Sequence, residues 1–126
     1  MGNKLVVIVG PTAVGKTKIG IEVASRINGE IVSGDSMQVY QGMDIGTDKI
    51  SPEDTIAENR IMVNHYMIDI VSPEENYSVA FFQKDARNCI EFINKQKKIP
   101  ILLGGTGLYV KAVIDKYNFE IIGDRQ

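Results

Sequence analysis

Apolar and polar positions fall in alternating blocks along the chain, and the blocks switch between two periods. Leu5-Val6-Val7-Ile8-Val9 is an unbroken apolar run rich in β-branched residues, the pattern of a strand buried on both faces. Behind it Ile19, Val23 and Ile27 recur at helical spacing with Ala24 on the same side, and Asn28-Gly29 ends the pattern as a helix C-cap does. Glu30-Ile31-Val32-Ser33 reads as a second, short strand closing at Gly34-Asp35. The stretch from Ser36 to Thr47 keeps neither period, and Gly42 and Gly46 mark turns within it. Ser51-Pro52-Glu53-Asp54 has the order of a helix start: Ser as N-cap, Pro at the first position, acids in the first turn. Asn64 to Ile70 is a third strand candidate closed by Ser72-Pro73. Ser78 then caps a longer helix whose apolar stripe is Phe82, Ala86, Ile90 and Ile93. That helix ends basic at Lys95, Lys97 and Lys98, which suits its negative C-terminal dipole, and Pro100 is placed to stop it. The lysines therefore read as a solvated helix end rather than an RNA patch. Ile101-Leu102-Leu103 is a fourth strand running into Gly104-Gly105-Thr106-Gly107, and a short helix with Val110, Val113 and Ile114 on one side follows.

Strands alternating with helices predict an α/β fold, here a P-loop NTPase-like three-layer α/β/α arrangement on a mostly parallel sheet with right-handed crossovers. The whole of 1–126 forms one such domain. In sheets of this kind ligands sit at the carboxyl ends of the strands. Three loops separated in sequence, after Val9, after Ser33 and after Leu103, should therefore meet at one crevice.

Bulk properties narrow the function classes without naming one. The chain has 126 residues, 44% apolar and 24% charged, and a formal net charge of -2. No overall positive field announces a nucleic-acid partner. No apolar stretch approaches a membrane span or a signal peptide, so the expected location is the cytoplasm. The single cysteine, Cys89, excludes an intramolecular disulfide and sits in a helical pattern that makes it a core thiol. His65, the one histidine, stands at a strand start and reads as structural. Neither zinc spacing nor a Ser/His/Asp arrangement is present.

The sharpest motif is Gly10-Pro11-Thr12-Ala13-Val14-Gly15-Lys16-Thr17, a G-x-x-x-x-G-K-T phosphate-binding loop with a strand before it and a helix after it, as the motif requires. Backbone N–H groups and the helix N-terminus enclose an anion there, and Lys16 adds a full charge. The Thr17 hydroxyl is the expected Mg²⁺ ligand, since Mg²⁺ on phosphates keeps few protein ligands. Pro11, Ala13 and Val14 fill the loop, while Thr12 either faces the ligand or caps backbone. Asp35, leaving a strand next to Gly34, suits a general base, a group behind the metal, a hydroxyl binder or an N-cap for the segment beginning at Ser36. Asp69 has the place of a metal-activating acid or of a partly buried structural one. By residues alone the reading stops at an enzyme acting on a phosphate or diphosphate ester with Mg²⁺, and a small-molecule P-loop kinase using ATP is the first guess.

Three segments together go further: GPTAVGKT at Gly10 to Thr17, SGDSMQVYQGMDIGT at Ser33 to Thr47, and PILLGGTGLY at Pro100 to Tyr109. His65 to Ile70 and Tyr77-Ser78-Val79-Ala80 fall between them in matching order. From about residue 4 to 114 the chain resembles the bacterial tRNA dimethylallyltransferases. The DSMQVYQGMDIGT segment makes the likeness specific, because it is no general P-loop feature. The resemblance implies transfer of a dimethylallyl group from dimethylallyl diphosphate to N6 of the adenosine 3′ of the anticodon in tRNA. The P-loop residues would hold the diphosphate leaving group. By the same resemblance Asp35 takes the proton from the attacking amine, Thr12 assists near the bridging oxygen, and Lys16 and Mg²⁺ at Thr17 meet the developing charge. Asp35, Ser36, Met37, Gln38 and Thr106 would contact the tRNA anticodon stem-loop.

Family members are considerably longer, which implies that these residues are the N-terminal part of a longer enzyme. The remainder would carry a further active-site arginine, much of the tRNA grip and an inserted helical domain. Asn64 stands where a histidine is frequent, and Phe81 where an acid is frequent; neither change touches the core chemistry. An adenylate prenyltransferase shares the P-loop chemistry but takes free nucleotide, and remains the close alternative beside the kinase. Against the kinase, Arg26, Arg60, Arg87 and Arg125 are scattered singly and form no lid.

Overall fold

The structure, a computed structural model, describes residues 3–9, 14–34, 55–68, 70, 72, 77–104, 108–114 and 119–125. In chain order these form β1 (Asn3–Val9), α1 (Val14–Ile27), β2 (Gly29–Ser33), β3 (His65–Tyr66), α2 (Val79–Lys95), β4 (Ile99–Gly104), α3 (Leu108–Ile114) and β5 (Phe119–Arg125). The sheet runs β3-β2-β4-β1-β5, and all four strand pairings are parallel. Period-two alternation splits its side chains between two cores. Ile8, Ile31, Ile101 and Leu103 pack with Ile21 and Ala24 of α1, whereas Leu5, Val7, Val32 and Leu102 pack with α2 and α3. The expected three-layer α/β/α architecture is present.

The helix expected from Ser78 agrees residue for residue. Ser78 Oγ accepts from the Phe81 amide, and Phe82, Ala86, Ile90 and Ile93 are the buried stripe. Asn28 takes the left-handed conformation (φ 58°) that closes α1, as its C-cap position requires. Gly29, however, belongs to β2. A Cβ there would lie 2.9 Å from the Ile99 carbonyl oxygen, so the residue is small because β2 and β4 start close together.

Four expectations are corrected. The stripe of α1 is not Ile19-Val23-Ile27: Ile19 is 46% and Ile27 39% exposed, while Gly20, Ile21 and Ala24 face the sheet. The reason is close packing, since a Cβ on Gly20 would come within 3.1 Å of Leu103, and that approach rotates the helix toward its small residues. The third strand is two residues long rather than seven, because Met67 leaves the extended region at φ 70°. Pro100 does not merely stop α2; it is the buried second residue of β4, opposite Glu30. Lys98 is only partly a solvated helix end, because its ammonium reaches Glu30. The helix start at 51–54 lies outside the described residues. Beyond it, 55–63 turns back on itself through an Ile56–Met62 bridge and buries Ala57 and Val63 against α1. Glu22 Oε2 holds that turn by accepting from the Glu58 amide at 2.8 Å. β5, which pairs along the whole of β1, was not anticipated from the apolar pattern.

Glu30 is the polar exception in the core, only 2% exposed. Its carboxylate accepts from Asn64 Nδ2 (2.7 Å), Tyr66 Oη (2.8 Å) and Lys98 Nζ (3.2 Å). Burial alone pushes this carboxyl up, but the bonds from Asn64, Tyr66 and Lys98 together outweigh it and leave it below the usual carboxylate range. Burial, then the Glu30 charge, pushes Tyr66 up to about 12. Asn64 precedes β3, Tyr66 is its second residue and Lys98 leads into β4, so one carboxylate ties three strands together at the amino end of the sheet. His65 is structural, as expected, but only half satisfied. Its Nδ1 lies 3.1 Å from the Val63 carbonyl oxygen, and its Nε2 has no hydrogen-bond partner among the described residues. Burial lowers its pKa, with the Val63 bond opposing, so the ring is held neutral with Nδ1–H donating.

Replacing Glu30 with Gln should remove about 2 kcal/mol of stability, the scale of hydrogen bonds to a buried charge, read as a lower urea midpoint at unchanged slope. Lys98→Met should cost less, about 1 kcal/mol, because the Lys98 side chain is 35% exposed. Both Glu30 and His65 have depressed folded-state pKa values, so each contributes stability above its unfolded pKa that is lost on acidification. Stability should start to fall below about pH 6.5 through His65 and steepen below about pH 4.3 through Glu30. Urea melts across pH should show His65→Leu flattening the upper limb alone.

Candidate active site

Because the sheet is parallel, every strand that leads to a motif ends on the same side. Register fixes how closely. Val9 of β1 sits opposite Gly104 of β4, and Ser33 of β2 opposite Leu103. The Gly34 amide continues the ladder, donating to the Leu103 carbonyl at 2.8 Å. Val9, Gly104 and Gly34 are thus neighbours in three adjacent strands, and the residues that follow them in the chain are Gly10, Gly105 and Asp35. At the usual strand spacing the exits of β1 and β2 stand roughly 10 Å apart, with β4 between them. The expected convergence of three loop exits is therefore realised at the sheet's carboxyl edge.

Glycine at these exits answers to the protein itself. A Cβ on Gly104 would fall 2.6 Å from Val110 Cγ2 and 3.2 Å from the Gly34 carbonyl oxygen, and one on Gly34 would meet Val110 Cγ2 at 3.1 Å. Val110 belongs to α3, so the short helix is seated on the tips of both strands.

α1 starts at Val14, which puts Gly15, Lys16 and Thr17 in its first turn. Backbone N–H groups of a first helical turn lack intrahelical acceptors, so this turn, immediately behind β1, can receive an anion. Thr17 is half-buried. Of the other expected site residues, Gly10, Pro11, Thr12 and Ala13 lie outside the described residues, as do Asp35, Ser36, Met37, Gln38 and Thr106. Asp69 does too. Among the described residues no group of three His, Cys, Asp or Glu could hold a metal unaided. A single hydroxyl such as Thr17 nevertheless fits Mg²⁺, which takes its remaining oxygens from phosphate and water. Cys89 is half-buried, and burial followed by the Asp85 charge raises its thiol pKa, so it is the inert core thiol expected. Among the described residues no helix is long and apolar enough to cross a membrane.

The pattern of apolar positions did not reveal the pair that holds α3. Gln83 Nε2 donates to the Ala112 carbonyl at 2.7 Å, and Arg87 donates to those of Val113 (3.0 Å) and Ala112 (3.3 Å). Their spacing of four, which sets both on one face of α2, was the available signal.

Comparison with known proteins agrees with the motif and the sheet. The family model described as IPP transferase matches residues 38–125. The tRNA dimethylallyltransferase of Carboxydothermus hydrogenoformans is 60% identical over 119 residues, covering 94% of this chain and 37% of the relative. Among solved structures, the full-length tRNA isopentenylpyrophosphate transferase of Bacillus halodurans superposes with a TM-score of 0.82 at 55% identity, covering 92% of this chain and 37% of that one. A eukaryotic dimethylallyltransferase described as acting on tRNA gives 0.80 at 35% identity, over 92% of this chain and 28% of that one. The chain thus spans little more than a third of the length of the relatives it matches. The matched stretch runs from Gln38 through β3, α2, β4 and α3 to β5, and with it the chain belongs to the IPP transferase family.

Proposed function

We propose that this chain is the diphosphate-holding part of an enzyme that transfers a dimethylallyl group from dimethylallyl diphosphate to N6 of the adenosine 3′ of the anticodon in tRNA. The observation that supports the reading is the side-by-side exit of Val9, Gly34 and Gly104 at one sheet edge, from which the chain continues into the P-loop, Asp35 and Gly105-Thr106. Family membership supports the choice of prenyl transfer over phosphoryl transfer. ATP would use the same loop but leaves Asp35 and the DSMQVYQGMDIGT segment unexplained.

In this reaction the allylic C–O bond breaks and negative charge builds on the departing diphosphate. Gly10 to Thr17 receive that charge through loop amides, the first turn of α1 and the Lys16 ammonium. Thr17 would hold Mg²⁺, whose charge offsets that of the diphosphate oxygens. Asp35 accepts the proton lost from N6 as the new C–N bond forms, and Thr12 donates near the bridging oxygen. Ser36, Met37, Gln38 and Thr106 would then orient the target nucleotide, while the rest of such an enzyme grips the tRNA. The net charge of -2 agrees with that division of labour, since this part carries no overall positive field. Such an enzyme would work where tRNA matures, in the cytoplasm.

Calorimetric titration with dimethylallyl diphosphate and with ATP, both with Mg²⁺, should show binding of the prenyl diphosphate. Tight ATP binding without a response to the prenyl diphosphate would sink the reading. Asp35→Asn should keep diphosphate affinity within about twofold and cut transfer to an anticodon stem-loop by about 100-fold or more, the loss expected on removing a general base. Lys16→Ala should show the opposite order, with diphosphate affinity falling first. Lost affinity in Asp35→Asn would assign that carboxylate to the metal or to the fold instead.

A further inference from the structure

α3 has seven residues, too few to hold a helix in water by local bonds alone. Two things fix it. At one end Val110 is wedged over Gly34 and Gly104. At the other, the carbonyls of Ala112 and Val113, in the last turn of the helix, accept three hydrogen bonds from Gln83 and Arg87 of α2. The Arg87 guanidinium also brings a positive charge to the negative end of the helix dipole. α2 is itself anchored: its stripe lies fully buried against the sheet, and Asn94 near its end exchanges hydrogen bonds with both the amide and the carbonyl of Lys4 in β1. Position is therefore handed from α2 through the guanidinium fork to α3, and from Val110 to the last residues of β2 and β4.

We propose that Arg87, seconded by Gln83, is a positioning residue for the transfer step. By fixing where α3 sits, it sets the spacing between the strand tip that leads to Asp35 and the one that leads to Thr106. The inference rests on the proposed prenyl-transfer reading for its catalytic consequence, but not for its structural one. The P-loop lies on the other route out of the sheet. It follows β1 directly and opens α1, which packs on the opposite face from α2 and α3. Loss of the fork should consequently disturb the base and the nucleotide-contacting loop while sparing the diphosphate grip. Lysine cannot replace the fork, because a single ammonium does not present two N–H groups in a fixed plane to two carbonyls.

The test compares wild type with Arg87→Ala, Arg87→Lys and Gln83→Ala. In Arg87→Ala, amide exchange across Val110–Ile114 should quicken by about tenfold. The Gly34 and Gly104 amide resonances should shift, and affinity for inorganic pyrophosphate with Mg²⁺ should stay within twofold. Transfer turnover should fall by up to about 100-fold with little change in KM for the prenyl diphosphate, the size expected of a misplaced reacting group. Arg87→Lys should lie between alanine and wild type, and Gln83→Ala should repeat the pattern more weakly. Unmoved Gly34 and Gly104 resonances beside a loosened α3 would overturn the proposal. So would pyrophosphate affinity falling as far as turnover, since that marks general loss of structure. Turnover is read with these residues inside the longer enzyme; if that enzyme transfers nothing, the prenyl reading fails, while the resonances and exchange rates still decide whether Arg87 sets the strand tips.

Discussion

The seating of one methyl-bearing side chain on two strand tips is the constraint from which the site end of this domain follows. Val110 reaches Gly34 and Gly104 because neither has a Cβ, and that contact closes the top of the core on the α2 and α3 side. Were either tip bulkier, α3 would have to ride higher and the β2 and β4 exits would separate. The parallel sheet supplies direction, since every strand delivers its loop to the same edge. The glycines supply closeness. Charge is brought by residues further along the chain, Lys16 and Asp35 among them.

The opposite end of the sheet follows a different logic. Glu30, Asn64, Tyr66 and Lys98 gather where β2, β3 and β4 begin, and the side chains of the other three all donate to the Glu30 carboxylate. A buried carboxylate accepting three donors is costly to disturb and stays ionised in the folded state. Chemistry and fold integrity thus occupy opposite ends of the same strands. Changes to the carboxyl-edge loops leave the polar knot untouched, a separation common to open α/β domains whose activities reside in their loops.

Much of this was legible in the residues, for reasons that differ between elements. α2 could be read fully because capping, stripe and basic end all agree, and a long amphipathic helix leaves little for tertiary context to override. The parallel sheet and its crevice followed from alternation of periods and from a motif with correct flanks. α1 misled because two of its isoleucines, Ile19 and Ile27, fit the helical spacing yet are exposed; Gly20 lets the helix come close, and the face that carries it buries Ile21 and Ala24 instead. β3 was overestimated because an apolar, aromatic run does not reveal a single left-handed residue such as Met67. The Glu30 knot was hidden for a general reason: its members are 34, 36 and 68 positions apart, and no local window contains them. The candidate site was legible as a motif and as a resemblance, and the geometry adds the adjacency of three exits that neither could measure.

The sheet order carries one more consequence, for how the chain comes to be folded. β1 precedes the other described strands in the chain, yet it pairs with neither β2 nor β3; its partners are β4 and β5, with Val6 beside Ile101 and Ile122. On a ribosome, the apolar run Leu5 to Val9 must wait for most of the domain to emerge before its backbone finds a hydrogen-bonding neighbour. Pairings so distant in sequence are slow to form, and an unpaired apolar strand is a template for other chains meanwhile. The earliest of the described strands is thus paired only when β4, some ninety residues later, reaches the sheet. Until then the nearby element able to cover it is α1, which follows it in the chain and packs Ile21 and Ala24 with Ile8.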